Sequence, residues 1–263
     1  MPRKLRQLIN NEFYHVVLRR AGDELLFIDV DDYYRGIFSI YEFNTTEQIT
    51  IRERRIARNQ FKEAIKRFNM GQSPVINSPA IHAPEASEGL TIKREGERDL
   101  FVEILSFCFM PNHIHLLVRQ LKEGGVSKFM QKVGAGYAAY FKSKYGIEFK
   151  GYFFQDRFYS AHIENEDQLR AVFTYIHCNP ISLIEPGWKE KGIKNPQKVI
   201  KFLESDYKWS SHQDYIGEKN FPSVTNREFL LKIMGGNDGC RELIRNWVTY
   251  KKGIKEFPNL DIE

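Results

Sequence analysis

A chain of 263 residues, 42 % hydrophobic and 14 % aromatic, has ample material for a packed core in one large domain or two small ones. No apolar run approaches the roughly 18–20 residues that cross a bilayer, and the basic N-terminus leads into polar residues, so neither a membrane span nor a secretory leader is expected. Three scattered cysteines, Cys108, Cys178 and Cys240, imply no disulfide framework and a reduced, cytoplasmic protein, while a net charge of +5 permits a polyanionic partner without demanding one.

In chain order, residues 13–20 are rich in β-branched and aromatic side chains and predict a first strand. Asp29 to Phe43 predicts a helix with Tyr33, Ile37 and Ile40 on one side. Residues 51–69 predict a charged helix in which Ile51, Ala57, Phe61, Ile65 and Phe68 recur at helical spacing. Gly71 to Gly96, with Pro74, Pro79 and Pro84, predicts a loop. Leu100 to Phe109 predicts a buried strand, Met110-Pro111-Asn112 breaks it, and His113 to Arg119 resumes as its hairpin partner. Ser127 is expected to cap a helix that ends at about Tyr145 before Gly146, with Met130, Val133, Tyr137 and Tyr140 or Phe141 on its apolar face. Residues 157–163 predict another strand. Asn165, with Gln168 three residues on, resembles a capping box opening a helix that ends before Pro180. Further helices are expected from about Asn226 and around Arg241 to Lys251. This order of elements predicts an α+β sandwich with an antiparallel sheet rather than alternating βαβ units.

Three groups of residues could carry chemistry. Between Arg119 and Arg157 there are eight basic residues against three acidic ones, with nine aromatics interleaved. Cations hold phosphates and aromatic faces stack unpaired bases, so Lys128, Lys132, Lys142 and Arg157 are candidates for contact with single-stranded DNA. The plainer reading is a helix with a solvated lysine face and an aromatic core face.

The second group is Pro111-Asn112-His113-Ile114-His115. Side chains alternate along a strand, so His113 and His115 share a face while Ile114, Leu116 and Val118 point the other way. Two imidazoles two residues apart can serve one cation, although the same pattern also occurs on ordinary amphipathic strands. The third is Tyr175-Ile176-His177-Cys178-Asn179-Pro180. Helical spacing sets Tyr175 and Asn179 one turn apart, flanking a core stripe of Leu169, Val172, Phe173 and Ile176, and Pro180 ends the helix. Packing of Tyr175 and capping by Asn179 would explain that pattern equally well. Taken together, the two motifs could hold a divalent cation on His113, His115 and Asn179 beside a tyrosine nucleophile, Tyr175.

Met110-Pro111-Asn112-His113-Ile114-His115, Gly125-Val126-Ser127-Lys128-Phe129-Met130-Gln131, Phe154-Gln155-Asp156-Arg157-Phe158, Tyr175 to Pro180 and Tyr207-Lys208-Trp209-Ser210-Ser211 resemble, in order and spacing, the IS200-like transposase family. The branch they most resemble is the REP-associated tyrosine transposases. The resemblance covers roughly residues 100–215, with a weaker match over residues 1–43. It implies a ferredoxin-like domain, histidine metal ligands (here His113 and His115) and a third ligand one turn after the catalytic tyrosine (here Asn179 after Tyr175). It also implies a 5′-phosphotyrosine intermediate, magnesium or manganese as cofactor, and single strands carrying hairpins as substrate. Family members are often homodimers. The expected division is a catalytic domain over residues 1–185, with an insertion at about 44–97, and a helical C-terminal extension over 186–263. After Pro180 the chain departs from the family's usual run, which affects expected DNA contacts there rather than the tyrosine. The alternatives are a hairpin-binding protein that does not cut, a structural zinc site using Cys108, His113, His115 and Cys178, and hydrolysis by a metal-activated water.

Overall fold

A computed structural model describes residues 8–22, 24–49, 98–147 and 151–251. The helix expected over 51–69 and the loop over 71–96 lie outside the described residues. The chain divides into two compact units, residues 1–44 with 100–263 and residues 45–99. All elements named below belong to the first.

β1 (Phe13–Arg19), α1 (Val30–Glu42), β2 (Val102–Met110), β3 (His113–Gln120), α2 (Gly125–Tyr145), β4 (Tyr159–Ile163) and α3 (Glu166–Cys178) follow one another. The strands pair antiparallel in the order β2-β3-β1-β4, which is the expected α+β, ferredoxin-like arrangement. Local chemistry sets the helix ends. The Asp29 carboxylate accepts the Asp32 N–H at 3.1 Å, and the Asp32 carboxylate accepts the Asp29 N–H at 3.2 Å, a reciprocal cap for α1. Asn165 Oδ1 accepts the Gln168 N–H at 2.9 Å and opens α3.

Two helix starts differ from expectation: the last helix, expected around Arg241, opens at Gly236, and the helix expected to be capped by Ser127 opens early. α2 begins at Gly125, two residues before Ser127, after Gly124 at φ 63°. A Cβ on Gly125 would lie 2.5 Å from the Phe101 carbonyl oxygen, so only glycine allows this close approach. The Val126 N–H is taken by Gln120 Oε1 at 3.1 Å, which replaces the serine cap.

The sheet's two faces follow from the pairing register. His15, Val17 and Arg19 stand opposite Leu117, His115 and His113, so these six share one face; Tyr14, Val16 and Leu18 stand opposite Val118, Leu116 and Ile114 on the other. α1 and α2 cover this second face. Phe27 stacks on Phe109 with centroids 5.2 Å apart, and the Tyr137 hydroxyl donates to the Leu26 carbonyl at 2.8 Å. On the histidine face, Leu105, Cys108, Leu117 and Ile163 of the sheet share a core with Leu169, Val172 and Ile176 of α3.

After a 3-10 turn (Asn179–Leu183) come α4 (Trp188–Lys191), α5 (Pro196–Lys201), a π-helical turn (Phe202–Asp206), α6 (His212–Tyr215), α7 (Glu228–Met234) and α8 (Gly236–Tyr250). Trp188, Val199, Ile244 and Val248 from these helices enter the same core as α3. Between the π-helical turn and α6, the Trp209-Ser210-Ser211 stretch runs along the outer edge of β2. The Phe109 N–H donates to Trp209 O at 2.9 Å, the Ser211 N–H donates to Phe107 O at 3.0 Å, and Ser211 Oγ accepts the Phe107 N–H at 3.0 Å. The stretch thereby satisfies backbone groups that a bare edge strand would leave open. Among the described residues no helix is long and apolar enough to cross a membrane.

Candidate active site

Strand alternation brings His113 and His115 onto the face that α3 crosses, and their ring centroids lie 4.7 Å apart. The Tyr175 ring of α3 stands edge-on to His115 at 5.6 Å, with an interplanar angle of 89°. Tyr175 is half-buried, whereas His115 and Asn179 are buried. Asn179 follows the last residue of α3, and its Nδ2 donates to the Tyr175 carbonyl at 3.0 Å. The same carbonyl also accepts the Asn179 backbone N–H, so backbone and side chain of Asn179 both hold the end of α3, and Oδ1 stays outside these bonds. The structure therefore brings His113, His115 and Tyr175 together and ties Asn179 to Tyr175.

A further residue belongs to the group. His15 of β1 is fully buried, stacks on His115 with centroids 5.2 Å apart, and lies 5.7 Å from the Tyr175 ring. Its Nε2 is 3.0 Å from His115 Nδ1. His113 Nδ1 in turn lies 2.6 Å from Asn112 Oδ1, an acceptor, so the His113 proton sits on Nδ1. Each candidate ligand thus has its Nδ1 engaged by a neighbour and its Nε2 left outside that bond. His115 Nε2 is buried and meets no hydrogen-bond partner among the described residues. A buried nitrogen in that condition calls for a ligand or a water.

Electrostatics fit the same picture. Burial pushes the His15 pKa down to about 3, with a further contribution from His113. Burial also holds His115 well below the ordinary histidine value, and His113, His15, Lys189 and Arg19 add to the shift. Both rings are neutral at pH 7, the form that ligates a metal. Two imidazoles on one sheet face, with the Asn179 amide tied to the neighbouring Tyr175, are nitrogen and oxygen donors of the kinds that a divalent cation takes. Such a mixed set suits manganese more readily than magnesium, which prefers oxygen alone. The four-ligand zinc alternative is not assembled. Cys108 and Cys178 are fully buried, burial pushes both thiols up, and among the described residues no three His, Cys, Asp or Glu side chains gather as for a metal.

Two nearby side chains escaped the sequence reading. His15 could have been noticed as the one polar side chain inside an otherwise apolar stretch, Tyr14 to Leu18. Lys189 of α4, whose Nζ lies 5.1 Å from the Tyr175 ring centroid, gave no signal. The expected DNA-contacting residues divide. Arg157 is exposed in the segment before β4, where the neighbouring Gln155 N–H donates to Arg19 O at 3.0 Å, and Arg19 pairs with His113. Lys128, Lys132 and Lys142 ride on α2, over the opposite face of the sheet. Lys128 and Lys142 are exposed there, while Lys132 Nζ lies 5.4 Å from the Phe101 ring centroid and is pushed to a lower pKa by burial.

Residues 79–179 match the model of a family described as transposase IS200 like, so the resemblance read from the motifs holds over that segment. No curated protein matches the chain. A solved structure of a REP-associated tyrosine transposase bound to a REP hairpin is similar at 15 % identity and a TM-score of 0.45, covering 87 % of this chain and 96 % of that one.

Proposed function

We propose, on the premise that residues 79–179 are similar to the IS200-like transposases, that this protein is a metal-dependent enzyme that cuts and rejoins single-stranded DNA through Tyr175. The observation that carries the reading is the Tyr175 ring standing 5.6 Å from His115, on the sheet face that also presents His113. A half-sheltered phenol beside two imidazoles with engaged Nδ1 atoms suits cation-assisted phosphoryl transfer.

His113 and His115 would hold Mg²⁺ or Mn²⁺ through Nε2, with Asn179 contributing Oδ1. Such an ion, when bound, offsets the negative charge that builds on a non-bridging oxygen of the scissile phosphate. Asn112 and His15 fix the two rings from behind, so neither must be reoriented during the reaction. Tyr175 Oη attacks phosphorus, forming the tyrosyl O–P bond as the P–O3′ bond breaks. The phenolic proton passes to solvent, and the departing 3′ oxygen takes up a proton. The product is a 5′-phosphotyrosine and a free 3′-hydroxyl. Attack by a 3′-hydroxyl reverses the step, so rejoining needs no nucleotide hydrolysis. The closeness of Tyr175 to the histidines of its own chain supports action in cis, whether or not the enzyme is a homodimer. Arg157, at the His113 end of the sheet, is assigned to a phosphate near the cut. Lys128, Lys132 and Lys142 can reach only DNA lying outside the cleavage site, such as a hairpin stem.

The test is incubation with end-labelled hairpin DNA from the flanks of the gene, in manganese, followed by denaturing gels. A denaturation-resistant adduct that disappears in Tyr175→Phe is the expected result. Cleavage that persists in Tyr175→Phe with a free 5′-phosphate would support a water nucleophile instead. Hairpin binding without cleavage by the unmodified protein would support the non-cutting alternative.

A further inference from the structure

We infer that the segment from α4 to α5 is a phosphate-binding ledge that guides the single-stranded DNA backbone past Tyr175. The inference rests on the nuclease reading above and adds the surface that would carry the strand. Residues 188–201 contain five lysines (Lys189, Lys191, Lys194, Lys198 and Lys201) and one acidic residue, Glu190. Lysine faces are commonly just solvated, and three observations set this one apart.

The first is shape. Ile184, Glu185, Trp188, Lys191, Lys194 and Lys198 help line a cleft of about 310 Å³. Three lysines, from α4, the following loop and α5, contribute to the lining of this one concavity. All three are exposed, and among the described residues their ammonium groups make no ion pair. Their charge is therefore available to an anion.

The second is rigidity. Trp188, Ile193 and Val199 are buried in the core, and the Ile193 N–H donates to Lys251 O at 3.0 Å. Asn195 Oδ1 accepts the Lys198 N–H at 3.1 Å and caps α5. The one carboxylate in the cleft, Glu185, accepts the Lys194 N–H at 2.7 Å and the Asn195 N–H at 3.0 Å. Its charge is thus partly committed to backbone donors, and it holds the loop bearing Lys194. A preformed backbone reduces the entropy lost when an anion binds.

The third is position. Lys189, next in sequence to the cleft residue Trp188, has its Nζ 5.1 Å from the Tyr175 ring centroid. The short helix α4 therefore meets the nucleophile through Lys189 and the cleft through Trp188 and Lys191. The α2 lysines, on the far side of the sheet, have no such continuity with the site. A strand's phosphates fit this surface because its exposed charged groups are cations, and cation–phosphate contacts carry no sequence information, which suits sequence-independent tracking.

Fluorescence anisotropy with labelled single-stranded DNA tests the idea. Two probes serve, a hairpin oligonucleotide with single-stranded arms from the gene's flanks and an unstructured thymidine homopolymer, over a salt series. Tyr175→Phe is the background in which cleavage cannot confuse binding. Adding Lys191→Gln, Lys194→Gln and Lys198→Gln together is expected to flatten the slope of log affinity against log salt by about 2 for both probes, since each single-strand phosphate contact contributes about 0.7. Lys128→Gln with Lys142→Gln is expected to change the homopolymer slope much less. The substituted lysines are exposed, and an unchanged melting temperature will show that the variant is folded. An unchanged slope in the triple variant overturns the ledge and leaves the nuclease reading standing if the unmodified protein still forms the adduct. Failure of the Tyr175→Phe background to bind either probe, with no adduct from the unmodified protein, overturns both.

Discussion

The two faces of the sheet, built from alternate residues of the same strands, treat buried polar groups in opposite ways. On the face covered by α1 and α2, the buried Asp32 carboxylate is saturated: it accepts from the Ile28 N–H at 2.8 Å, the Tyr140 hydroxyl at 2.9 Å, the Tyr145 hydroxyl at 2.8 Å and Lys144 Nζ at 2.8 Å. Those bonds hold the Asp32 pKa low against the opposing effect of burial. On the histidine face, His115 Nε2 and His15 Nδ1 are buried without a partner among the described residues. Leaving a buried polar atom unpaired costs about 1–3 kcal/mol. One face is thus organised for stability and the other retains polar groups that only a ligand or water would complete.

The sharpest way to break this comparison uses neighbours on β3. Leu116→Ala removes a side chain that is 1 % exposed and faces α1 and α2. It is expected to cost about 2–5 kcal/mol in denaturant unfolding while leaving manganese affinity unchanged in the folded protein. His115→Ala should do the reverse, losing metal affinity with a smaller stability change. If both substitutions weaken stability and metal binding alike, the division between faces is wrong.

Next in size is an effect of acid. His212 is buried, and burial pushes its pKa down to about 4, opposed by Glu204 and reinforced by Arg241 and Arg245. Its folded pKa lies below the unfolded value of 6.5, so the unfolded chain binds the extra proton first. The stability linked to this group is intact above pH 6.5 and is lost as pH falls toward 4, by on the order of 3 kcal/mol. His212→Gln should flatten the stability profile in that window, as read by urea unfolding. An equally steep profile in the variant would remove His212 as its source.

The smallest expected effect concerns ring positioning. His15→Ala deletes the partner of His115 Nδ1, and loss of such a support lowers metal affinity about 10–100-fold. Titration with Mn²⁺ followed by electron paramagnetic resonance reads this without turnover. His15→Gln, which keeps a hydrogen-bonding group in place, should recover part of the loss. No change in either variant would reduce the His15–His115 contact to packing.

Much of this was legible in the sequence because it is local. Alternation put His113 and His115 on one face, helical spacing put Asn179 one turn after Tyr175, and Asn165 and Gly146 marked helix ends by their own chemistry. What stayed hidden is non-local. His15 meets His115 across 100 residues of chain, and nothing in either segment specifies that β1 and β3 are the central pair. Lys189 reaches Tyr175 only through the packing of Trp188 into the core. The start of α2 was misread because a steric constraint from Phe101 on Gly125 outweighs the capping preference of Ser127. The role of Trp209-Ser210-Ser211 in covering β2 likewise depends on a contact roughly a hundred residues away.

The most direct test of the central claim is to locate the covalent bond. Trypsin cuts after Arg170 and Lys189, and the peptide Ala171–Lys189 contains a single tyrosine, Tyr175. The adduct formed on flank-derived hairpin DNA would be digested with nuclease and trypsin and analysed by tandem mass spectrometry. The account predicts a nucleotide linked through its 5′-phosphate to Tyr175 in that peptide. A nucleotide on any other peptide, or cleaved DNA with a free 5′-phosphate and no modified peptide, would contradict it.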